Sequence, residues 1–101
     1  MEPLSGSARK YLRGLAQGLR PLVQIGKEGL SSAVVQALDQ ALASHELVKV
    51  QFLTGREEKR ELARTVDTEL GSECVGIIGH TAIFYRPHPE EEKRRITVPG
   101  R

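Results

Sequence analysis

A single cysteine, Cys74, has no partner for an intramolecular disulfide and cannot anchor a multi-cysteine zinc site. Tryptophan is absent, and two Tyr and two Phe make aromatics only 4% of 101 residues, too few for a broad aromatic stacking surface. No apolar run reaches the roughly 18 residues of a membrane span, and Arg9, Lys10 and Arg13 interrupt the N-terminus before a signal-peptide core forms. The three histidines, His45, His80 and His88, include no pair at the i, i+4 spacing of a helical metal site. No P-loop is present: Pro21 stands where its first glycine belongs, and Glu28 where Ser or Thr follows the lysine. A dinucleotide GxGxxG is missing, and no Ser/His/Asp or Cys/His set is recognisable by motif. These absences point away from an enzyme and from any cofactor or metal, and toward a small soluble domain of the cytoplasm.

The 39% hydrophobic and 28% charged residues lie in the ordinary globular range, and the length suits one domain with one modest core. The formal charge of +2 conceals a division along the chain: residues 1–27 carry +4, residues 28–73 carry −4 and residues 74–101 carry +2. A positive N-terminal third invites an anionic partner.

Apolar positions Ala8, Tyr11, Leu12, Leu15 and Leu19 predict a first helix, capped by Ser5 or Ser7 and ended by Pro21. Arg9, Lys10 and Arg13 fall off that stripe, toward water. Gly14 and Gly18 each weaken such a helix by about 1 kcal/mol relative to Ala, which suggests a packing or close-approach reason for them. Residues 22–25 form a short strand. A second helix follows, capped by Ser31 or Ser32, with Leu30, Val34, Ala37, Leu38, Ala41 and Leu42 buried. Residues 47–53 are the clearest strand, Val48, Val50 and Phe52 alternating with Lys49 and Gln51. Thr54 and Glu57 read as a capping box for a third helix bearing Leu62, Ala63, Val66 and Leu70, closed by Gly71. Residues 74–78 and 82–86 are a strand pair around a turn at Gly79, His80 and Thr81. Phe84 and Tyr85 should face opposite sides of the sheet, and Tyr11 and Phe84 should be core residues. Pro87 and Pro89, the acidic run 90–92 and the basic run 93–95 mark residues 88–101 as a charged, mobile tail behind a domain of residues 1–87. The expected fold is a single compact α/β domain, α-β-α-β-α-β-β, with a four-stranded mixed sheet. Which face the first helix takes is open.

The 26–29 loop, Gly26-Lys27-Glu28-Gly29, joins the first strand to the second helix. Two glycines three apart let the backbone approach a ligand that Cβ atoms would hold away. The following helix turns its free N–H groups toward the loop, and Lys27 adds an ammonium. These are the parts of a phosphate-backbone cradle of the kind found in KH domains, although a GxxG of this kind also serves simply as a tight turn.

Tyr11-Leu12-Arg13, Leu15-Ala16, Leu19-Arg20-Pro21, Gln24-Ile25-Gly26-Lys27 and Gly29-Leu30 resemble the YhbY family, the stand-alone bacterial form of the CRM (chloroplast RNA splicing and ribosome maturation) domain. Glu46-Leu47-Val48-Lys49-Val50, Ile78-Gly79-His80 and Phe84-Tyr85-Arg86-Pro87 continue the match in order, over about residues 4–87. The resemblance implies an RNA-binding domain similar in fold to the C-terminal domain of bacterial translation initiation factor three. It also implies association with ribosomal RNA in precursors of the large ribosomal subunit. The family's GxxG loop falls on Gly26, Lys27, Glu28 and Gly29, and its basic first helix on Arg9, Lys10 and Arg13. Glu28 departs from the Asn frequent there: either its carboxylate points away, or this loop grips RNA less tightly than its relatives.

The expected function is therefore a monomeric, non-enzymatic RNA-binding protein assisting large-subunit assembly. Arg20 and Arg86 would extend one electropositive surface with the loop and first helix. A rival reading is a protein-interaction adaptor acting through the acidic third helix, where Glu57, Glu58 and Glu61 mix with Arg56, Lys59, Arg60 and Arg64 in an expected salt-bridged face. His45 suits the end of the second helix, and His80 serves either turn geometry or an RNA contact.

Overall fold

The computed structural model describes residues 2–53 and 56–99. The first helix, α1 (Gly6–Ala16), starts at Ser5, whose Oγ accepts from the Ala8 amide at 3.1 Å. It ends well before Pro21, because Gly18 and the pre-proline Arg20 both disfavour helical backbone. The apolar residues form two adjacent i, i+4 rows, and the sheet covers only one of them. Ala8, Leu12 and Ala16 are buried, whereas Tyr11, Leu15 and Leu19 remain 40–42% exposed. The expectation that Tyr11 is a core residue is thus corrected.

Gly14 has no protein atom within 4 Å of where a Cβ would stand, so packing gives no reason for it. Gly14→Ala is expected to raise stability by about 0.5–1 kcal/mol, read as a higher midpoint in thermal or urea unfolding.

The remaining order is β1 (Val23–Ile25), α2 (Ser32–His45), β2 (Leu47–Phe52), α3 (Arg56–Leu70), β3 (Glu73–Ile78) and β4 (Thr81–Tyr85). Ser31 caps α2, its Oγ accepting from the Val34 amide at 3.2 Å. The capping box expected at the start of α3 falls on Thr54 and the Glu57 side chain, outside the described residues. The strands lie in the order β1-β2-β4-β3, with β1 parallel to β2 and the other pairs antiparallel. The predicted α-β-α-β-α-β-β arrangement and mixed four-stranded sheet are therefore present.

Strand alternation builds two cores, one on each face. Val48, Val50 and Phe52 pack with Ile25, Leu38, Leu42, Val66 and Phe84 beneath α2 and α3. Leu47, Val75, Ile83 and Tyr85 pack with Leu4, Ala8, Leu12 and Ala16 on the other face. The first helix thus takes the face opposite α2 and α3, and Phe84 and Tyr85 point to opposite sides as the alternation required. Each fully buried Leu or Phe contributes about 2 kcal/mol of transfer free energy, so neither face is a minor one.

Residues 88–98, expected as a mobile tail, lie against the domain. Glu46, beyond the end of α2, has φ 64° and is only 2% exposed. Its Oε2 accepts from the His88 amide at 2.8 Å, and its Oε1 accepts from the amides of Arg95 at 2.6 Å and Ile96 at 3.1 Å. Ile96 and Val98 then pack against the core under α1. Proline breaks and charge runs describe the local chain, but they carry no information about a buried acceptor some 40 residues earlier.

Candidate nucleic-acid interface

The 26–29 loop leaves the carboxyl end of β1 and turns directly into α2. The Gly29 amide donates to Gly26 O at 3.0 Å, and the Ser31 amide to Gly29 O at 3.1 Å. Gly29 has φ +70°, a left-handed conformation that an L side chain rarely adopts. Lys27 and Glu28 are exposed, and nothing lies within 4 Å of a Cβ built on Gly26. The amides of Lys27, Glu28, Ser32 and Ala33 meet no acceptor among the described residues. The corner is therefore open, with uncommitted N–H groups, the positive end of α2 and a lysine gathered on it. Glu28 points to solvent and makes no ion pair among the described residues.

One side of this corner is acidic. A groove of about 270 Å³ runs between the loop and α3, lined by Gly26, Lys27, Gly29, Glu58, Glu61 and Leu62. The sequence places these acids on a helix, but only the tertiary packing sets that helix beside the loop.

The other basic residues do not join the loop in a single surface. Arg9 and Arg13 lie over β3, the sheet edge farthest from β1, on the face opposite α2 and α3. Arg9 donates to Cys74 O at 3.4 Å, with its Nε 3.6 Å from Glu73 Oε2. Arg13 Nη1 donates to Val75 O at 2.8 Å. Its stem lies on Gly76, where a Cβ would stand 2.6 Å from Arg13 Cδ, next to the register shift between Cys74 and Gly76. Arg13, expected to face water, instead fastens α1 to an irregular strand whose carbonyls need donors, while Arg9 reaches the same strand with 43% of its side chain still exposed. Lys10 remains exposed on α1.

Arg86 follows β4, at the end of the sheet opposite the loop. It donates to Asp39 Oδ1 at 2.7 Å, Leu70 O at 2.9 Å and Asp39 O at 3.0 Å, so it ties α2 to the end of α3. Arg86→Ala is expected to lower stability by about 1.5–3 kcal/mol in urea unfolding while leaving RNA affinity unchanged. Arg20, expected near the loop, lies near the start of β1 instead, in a pocket with Lys49, His45 and Leu22.

Lys59 was missed by sequence reasoning. It belongs to the helix read as a salt-bridged face, yet it is 3% exposed, and its Nζ donates to Gly79 O at 2.9 Å and stands 3.0 Å from His80 Nδ1. His80 O in turn accepts from the Phe52 amide at 2.7 Å. The Gly-His pair thus sets the turn between β3 and β4 from beneath. No helical spacing reveals this, because the acceptors come from a distant hairpin.

Two groups near Arg9 have displaced proton affinities. Burial raises the Asp67 carboxyl above its ordinary value, against hydrogen bonds from the Cys74 amide and the Ser72 hydroxyl. Its contribution to stability is therefore present below pH 3.8 and is lost as the pH rises through the folded value. Burial also pushes the Cys74 thiol up, as befits a small hydrophobe rather than a nucleophile.

Residues 4–86 match the model of the CRS1 / YhbY (CRM) domain. A protein of Haemophilus influenzae named "RNA-binding protein" is 35% identical over 100 residues, spanning 98% of each chain. Bacillus subtilis YqeI, named a probable RNA-binding protein, is 32% identical over 97 residues, covering 95% of this chain and 99% of its own. The solution structure of Staphylococcus aureus SAV1595 superposes with a TM-score of 0.82 at 35% identity, over 96% of this chain and all of that one. The motif blocks, the strand order and the end-to-end similarity agree: this chain belongs to the CRS1/YhbY (CRM) domain family.

Proposed function

We propose that the chain is a non-enzymatic RNA-binding protein, acting as a cytoplasmic monomer, that assists assembly of the large ribosomal subunit. The observation that carries this reading is the open 26–29 corner. Uncommitted amides, the amino end of α2 and Lys27 there form a cradle for one or two phosphodiesters. The names of the Haemophilus and Bacillus relatives support RNA as the ligand class. Arg13 and Arg86 leave the contact set, because each is committed to the protein's own acceptors, while Arg9, with 43% of its side chain exposed, stays with Lys10 as a secondary cationic patch on α1.

RNA recovered by crosslinking in cells and sequenced is expected to be dominated by large-subunit ribosomal RNA. In vitro, Lys27→Glu should weaken binding of that RNA and flatten the log–log salt slope by about 1–2. Recovery of unrelated transcripts would overturn the ribosomal assignment. An unaltered affinity and slope in Lys27→Glu would overturn the loop's role.

A further inference from the structure

The sheet face that carries α1 is only half covered. Because α1 stops at Ala16, the chain returns to β1 past a pocket of about 390 Å³ between residues 19–22, β2 and the C-terminal segment. Leu19, Leu22 and Leu47 wall it, Arg20, His45 and Lys49 rim it, and no acidic residue lines it. Leu19 is 40% exposed and Leu22 54%, unusual openness for apolar residues sharing one patch. Arg20 and Lys49 have no ion-pair partner among the described residues.

The pocket lies at the start of β1 and the 26–29 loop at its end. The Leu22 amide donates to Lys49 O at 3.0 Å, which carries the edge ladder down past β1. Between Leu22 and Gly26 the extended chain spans roughly 13 Å. Gln24 occupies the middle of that span on the α1 face, its side-chain Nε2 donating to Gln51 Oε1 at 3.1 Å in an exposed cross-strand pair. Glu58 and Glu61 stand on the opposite side of the loop. The groove side of the loop thus carries Glu58 and Glu61, whereas the β1 side leads past the glutamines to Arg20 and Lys49, the side that attracts a polyanion.

We propose that this pocket receives an unpaired nucleobase of the RNA strand held at the 26–29 loop, with Arg20 and Lys49 on the adjoining phosphate. The inference rests on the loop reading above and gives the strand its direction. Apolar walls suit the face of a base, a cationic rim suits its phosphate, and the Gln24–Gln51 pair offers donors and acceptors to a base edge. An acidic peptide shares the charge match, but the phosphate-cradling loop at the other end of the same strand favours RNA.

The test compares binding of short single-stranded oligouridine with binding of the same ribose-phosphate chain lacking bases, by fluorescence anisotropy on the full chain. Leu22→Asp and Arg20→Glu, both at exposed positions, are each expected to weaken oligouridine binding at least about tenfold with an unchanged thermal midpoint. Leu22→Ala should weaken oligouridine binding but not binding of the abasic chain, since only a base enters the pocket. As a fold-independent measure, 4-thiouridine in the wild-type complex should photo-crosslink to residues 19–24 or 45–51. Equal wild-type affinity for both chains, or full affinity in Leu22→Asp and Arg20→Glu, overturns the inference. So does crosslinking confined to α3, or an acidic peptide held at the pocket while oligouridine stays bound. If Lys27→Glu still loses binding where the pocket variants do not, the loop reading stands and only the pocket assignment falls.

Discussion

Valine at position 29 is expected to weaken RNA binding at least about tenfold and to cost roughly 1–3 kcal/mol of stability. The stability term comes from the backbone. Gly29 sits at φ +70°, which a β-branched residue avoids, while a Cβ there would meet only Leu62 Cδ2, at an ordinary 3.8 Å. The affinity term comes from relaxing the turn that aims the loop amides outward. Gly26→Ala separates the two effects, because neither a left-handed φ nor a protein atom within 4 Å opposes the added methyl. Alanine there should leave urea unfolding unchanged while still lowering affinity, since only an approaching ligand meets it. Full RNA affinity in fully folded Gly29→Val would show that the glycines merely shape a turn.

Glu46→Ala is expected to lower stability by about 3 kcal/mol and to release the C-terminal segment. The side chain accepts three backbone N–H groups, from His88, Arg95 and Ile96, and charge-assisted hydrogen bonds of this kind are the stronger ones. Once they are lost, Ile96 and Val98 have less to hold them over the core beneath α1. Alanine also keeps the φ of 64° without the compensating bonds. Urea unfolding measures the first effect, and faster tryptic cleavage at Arg94 and Arg95 measures the second. Cleavage no faster than in the wild type would mean that the apolar contacts alone hold the segment.

How far each feature was legible depends on the range of the interactions that fix it. Helix caps at Ser5 and Ser31, the alternation of β2 and the turn at Gly79 and His80 depend on neighbours a few residues apart, and the sequence displays them. The 26–29 corner is equally local, so its open geometry follows from two glycines, a lysine and the start of a helix. Arg13 shows the opposite case. Its place off the helical stripe predicted a solvated cation, but the register shift in β3 left Val75 O needing a donor and Gly76 without a Cβ to obstruct the arginine stem. Lys59 likewise turned inward because a hairpin carbonyl and imidazole waited there.

From its one-dimensional pattern this chain settled its elements, their order, its family blocks and the exposed glycine corner, because period, capping and turn chemistry act over a few residues. Only the three-dimensional packing decided that α1 covers the face opposite α2 and α3, that Arg13 and Arg86 are spent on internal acceptors, and that Glu58 and Glu61 border the loop. The physical reason is that a cation's role depends on the nearest acceptor in space. For these side chains that acceptor lies on another strand or helix, outside the reach of any local spacing rule.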